Sequence, residues 1–71
     1  MHYYKLTDTG KEVYKKIDLG SDEGKILDFL RNNKGGTDDQ LAAVVSGGDY
    51  IVKKMKGSGL VYELTTEPGR V

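Results

Sequence analysis

Apolar residues along the 71-residue chain recur at two spacings, three-to-four and two, and the two spacings predict different backbones. Four stretches carry the helical spacing. The first is expected from about Asp8 to Ile17 behind Thr7 as N-cap, with Val13, Tyr14 and Ile17 on one face and Lys11, Lys15 and Lys16 largely opposite. The second follows Ser21, places Asp22 and Glu23 where the helix dipole favours acids, and turns Ile26, Leu27, Phe29 and Leu30 inward until Gly35-Gly36 stops it. The third opens on Thr37-Asp38-Asp39-Gln40, the pattern of a reciprocal capping box, and continues through Leu41, Ala42, Val44 and Val45. The fourth runs from about Asp49 to Lys56 after Ser46-Gly47-Gly48. Its Ile51, Val52 and Met55 span an arc of about 100°, while Tyr50, Lys53 and Lys54 point the other way.

Two segments alternate instead. Leu60 to Leu64 places Leu60, Tyr62 and Leu64 on one side of a strand bounded by Gly59 and by the turn-rich run Thr65-Thr66-Glu67-Pro68-Gly69. Tyr3 to Leu6 favours extension through its paired tyrosines. Helices and strands together predict an α+β fold in a single domain, residues 1 to 71. A chain of this length buries only about 60% of its unfolded surface, which argues against a deep substrate pocket.

Composition narrows the chemistry. With no cysteine there is no disulfide framework, no thiol nucleophile and no cysteine-ligated zinc. The longest apolar runs, Leu41 to Val45 and Leu60 to Tyr62, fall far short of the roughly 20 residues that span a bilayer. A soluble, cytoplasmic protein with no membrane partner is expected. Eleven Lys/Arg balance eleven Asp/Glu, so the formal net charge is zero. The balance is uneven along the chain: residues 1 to 17 and 50 to 59 are basic, and the middle is acidic.

The order of helix, turn, capped helix, tight glycine turn, basic helix and Gly-Leu-Val entering a strand resembles a winged helix-turn-helix. The densest match runs from Ile51 through Met55 into Ser58-Gly59-Leu60-Val61. Tyr4-Lys5-Leu6-Thr7-Asp8-Thr9-Gly10-Lys11 is similar to a signature of MarR-like and archaeal regulators in which a strand ending in Leu-Thr-x-x-Gly leaves the wing for a further helix. Here that signature comes first. The chain reads like a circular permutation in which Tyr3 to Leu6 pairs antiparallel with Leu60 to Leu64. Two other arrangements share the pattern: the tail of a preceding winged-helix unit, and a strand exchanged with a second subunit.

What the resemblance implies is a nucleic-acid-binding, transcription-related role. Tyr50, Lys53, Lys54 and Lys56 of the basic helix, with Arg70 in a Thr65-to-Arg70 wing, would contact phosphates of double-stranded DNA. The basic helix is about one turn shorter than the family pattern, and Gly47-Gly48 falls at its start, so phosphate contact is expected rather than reading of base edges. A module that binds another protein, or a homodimer, is the second reading. No enzyme activity, cofactor or metal is expected. His2 lacks a ligand partner, Asp22-Glu23 and Asp38-Asp39 read as first-turn acids, and Lys56-Gly57-Ser58-Gly59 lacks the order of a phosphate loop.

Overall fold

A computed structural model of the chain describes residues 2–64. Its elements run β1 (Tyr3–Leu6), α1 (Asp8–Tyr14), α2 (Asp22–Asn32), β2 (Gly36–Thr37), α3 (Asp38–Val44), α4 (Gly48–Gly57) and β3 (Val61–Leu64). The fold is α+β, with four helices and a three-stranded antiparallel sheet ordered β2-β1-β3 among the described residues. The strand that comes first in the chain therefore occupies the middle of the sheet. Tyr3 lies opposite Leu64 and Leu6 opposite Val61, so the expected pairing of the N-terminal and C-terminal strands forms within one chain.

Three of the four described helices start where a side chain satisfies an orphan amide, and α4 starts instead on Gly47, which has no side-chain cap. Thr7 accepts from Gly10 N, Ser21 from Gly24 N, and Thr37 from Gln40 N while the Gln40 side chain takes the Thr37 amide at 2.9 Å. Tyr4, Ile26, Leu27, Leu30, Leu41, Val45, Val52, Met55 and Val61 form the core, joining the inner face of the sheet to α2, α3 and α4. Phe29, expected inside, is only partly buried against it.

Several expected boundaries move. Helix α1 ends at Tyr14 rather than Ile17, because the Lys15 and Lys16 amides bond three residues back and tighten the last turn. Ile17 still packs on the core. Val45 lies outside α3: it is the extended residue that caps it, and its side chain remains buried. The two-residue strand β2 was not expected at all.

In the last strand the alternating set is not the buried one. Val61 is the buried side chain, at 2% exposure, whereas Tyr62 is 42% exposed and Leu60 and Leu64 are half-buried. Pairing with β1 sets this phase. Residues opposite each other share a face, so Val61 and Glu63 face inward with Leu6 and Tyr4, and Tyr62 and Leu64 face outward with Lys5 and Tyr3.

Backbones come unusually close at Gly10, Gly24 and Gly48, and two of these junctions, at Gly10 and Gly48, set how α1 and α4 sit. At the first, Thr7 N donates to Leu60 O at 3.1 Å and Thr7 Oγ1 to Gly59 O at 2.6 Å. Gly10 lies so near Leu60 that a Cβ there would overlap its carbonyl. The Leu-Thr-x-x-Gly pattern is thus the lock between the start of α1 and the approach to β3. At the second, Gly47 turns the chain with φ of 74° and Gly48 sits against the Leu41 carbonyl, where no Cβ would fit. That closeness seats α4 on α3.

Candidate nucleic-acid interface

Helix α4 is held by Val52 and Met55, both in the core, which fixes the opposite face toward solvent. Tyr50 is 65% exposed, and Lys53 and Lys54 are exposed beside it. The Lys54 ammonium lies 5.5 Å from the Tyr50 ring centroid, a cation–π arrangement that keeps the two groups together on the surface. Among the described residues neither Lys53 nor Lys54 is in an ion pair. Tyr50, Lys53 and Lys54 are thus brought together.

Lys56 is not part of that group. Its Nζ donates to Glu63 Oε1 at 2.9 Å, tying the end of α4 to β3. Glu63 Oε2 takes His2 Nδ1, so one carboxylate joins α4, β3 and the residue before β1. The Lys56 hydrogen bond, seconded by His2, holds the Glu63 carboxyl below the ordinary carboxylate range. Arg70 and the Thr65-to-Arg70 wing lie outside the described residues.

Acids occupy the first turns of α3 and α4, Asp38 and Asp39 in the one and Asp49 in the other. Their positions, and those of Asp22 and Glu23 at the start of α2, suit the helix dipole. Among the described residues no group of three or more His, Cys, Asp or Glu could hold a metal ion.

A second feature escaped the sequence. An open groove of about 1000 Å³ is lined by β1, α1, the C-terminal end of α2 and Tyr62 of β3. Lys5, Lys11, Lys15, Arg31 and Lys34 line it against the acids Asp8 and Glu12. Along its edge the Tyr14 hydroxyl donates to Asp28 at 2.7 Å, which pushes the phenol above its ordinary range, and the Arg31 guanidinium lies over the Tyr14 ring at 5.3 Å. The sequence hid this groove because its cations come from three separate elements and the α2–β2 turn. Only the β1–β3 register, which puts Lys5 opposite Tyr62, would have linked the ends of the chain to it.

No family model matches the sequence, and neither a curated protein nor a solved structure matches it. Among the described residues no helix is long and apolar enough to cross a membrane.

Proposed function

We propose that the chain is a cytoplasmic, transcription-related module of winged-helix type that contacts the phosphates of double-stranded DNA through α4. The reading rests on the exposed group Tyr50, Lys53 and Lys54, carried by a helix packed closely on α3. The topology supports it. The order α2, β2, α3, α4, β3 is that of the family the sequence resembles, and β1 fills the place of the strand returning from the wing.

Two or three phosphate contacts give a modest, salt-sensitive affinity, with log K falling against log salt at a slope of about −2 to −3. Fluorescence anisotropy of a labelled duplex across a salt series tests this. Lys53→Ala with Lys54→Ala should flatten the slope by about 2 and leave the circular dichroism unchanged. No duplex binding at low salt by a folded protein would sink the reading. It would leave the protein-interaction module, alone or as a homodimer, with the short helix α4 or the acidic middle of the chain as its contact surface.

A further inference from the structure

The groove formed by β1, α1, α2 and β3 lies apart from the α4 face: none of Tyr50, Lys53 and Lys54 lines it. Its charge is strongly one-sided, five cations against two carboxylates in a chain whose total is neutral. One of the two acids, Glu12, is engaged by Lys15 at 3.3 Å, which leaves Lys5, Lys11, Arg31 and Lys34 against the single carboxylate of Asp8. Tyr62 adds an aromatic ring that is 42% exposed, on the outer face of the sheet, directly across from Lys5.

We infer that this groove binds single-stranded nucleic acid, with an unpaired base stacked on Tyr62 and the adjoining phosphates neutralised by Lys5, Lys34 and Arg31. An exposed ring among cations suits a strand whose bases are free, because a duplex keeps its base faces inside the stack. An acidic peptide would satisfy the cations but would leave the ring without a planar partner. Stacking is tolerant of sequence, so the groove should show little base preference.

The test is anisotropy of a labelled oligothymidylate at low salt, beside a duplex of equal length and an abasic strand of equal charge. Three phosphate contacts predict a salt slope of about −2. Tyr62→Ala should weaken binding about fivefold or more, and Tyr62→Phe should retain it. Lys34→Gly should also weaken binding. Lys34 has φ of 59°, a conformation glycine adopts without strain, so that loss would not come from unfolding. Lys53→Ala and Lys54→Ala should leave single-strand affinity unchanged, which separates this groove from the α4 surface. Three results would overturn the inference: no single-strand binding, equal affinity for the abasic strand, or loss through Lys53 and Lys54 with none through Tyr62.

Discussion

Gly48 shows how much one missing side chain decides. Read along the sequence, Gly47-Gly48 weakens the start of the basic helix, since glycine is a poor helix former. In three dimensions Gly48 is the point at which α4 meets the Leu41 carbonyl, and a methyl group there would force the helices apart. Gly48→Ala should therefore destabilise the fold by about 2 kcal/mol or more, although it improves helix propensity, and urea denaturation would measure it. Glu63 makes a different residue-scale case. Its carboxyl is held low, by Lys56 first and His2 second, so its contribution is present above the ordinary carboxylate range and is lost as pH falls through the lowered value. Lys56→Ala should move the Glu63 carboxyl back toward its ordinary titration, as NMR of that side chain would follow.

At the scale of elements, the sequence was most legible where the signal was local. All three side-chain caps are where Thr7, Ser21 and Thr37 imply, and the capping box of α3 forms with both of its bonds. Thr37→Ala should cost about 1–2 kcal/mol, because it leaves the Gln40 amide without its acceptor at a site only 8% exposed; thermal melts of the variant and the parent would show it. Strands were less legible. In Leu60-Val61-Tyr62-Glu63-Leu64 the larger apolar set belongs to the outer face, so alternation alone does not tell which side is buried. The inner set contains Glu63, acceptable there only because Lys56 and His2 meet it at the rim, which local alternation does not reveal. A two-residue strand such as Gly36–Thr37 has no period to detect; its pairing with Tyr3 and Tyr4 exists only once β1 is in place. The basic helix face was readable, since Tyr50, Lys53 and Lys54 recur at helical spacing. The groove was not, since residues 5, 11, 31, 34 and 62 share no period.

For the whole molecule, the Leu6-Thr7-Asp8-Thr9-Gly10 run has a physical meaning of its own. It places β1 between β2 and β3 and locks the start of α1 to residues 59 and 60. Tyr3 and Leu64 are opposite each other, so the seven residues 65 to 71 are enough to join the two strands directly. A rearranged chain running from residue 18 to 71 and then from 2 to 17 should therefore keep the fold. Its far-UV circular dichroism should match the parent's and its melt should stay cooperative; a featureless spectrum would refute the junction described above.

The central position of β1 also governs the timing of folding. This strand leaves the ribosome ahead of the six other described elements, yet its longer neighbour β3 is the last of the seven to emerge. Until then the short β2 is the one strand paired with β1, and the lock between Thr7 and Leu60 must close a loop of 53 positions. The helices can assemble during synthesis, but the sheet must wait for β3. Nascent chains arrested before residue 61 should thus expose the edge of β1 to any strand-capturing chaperone.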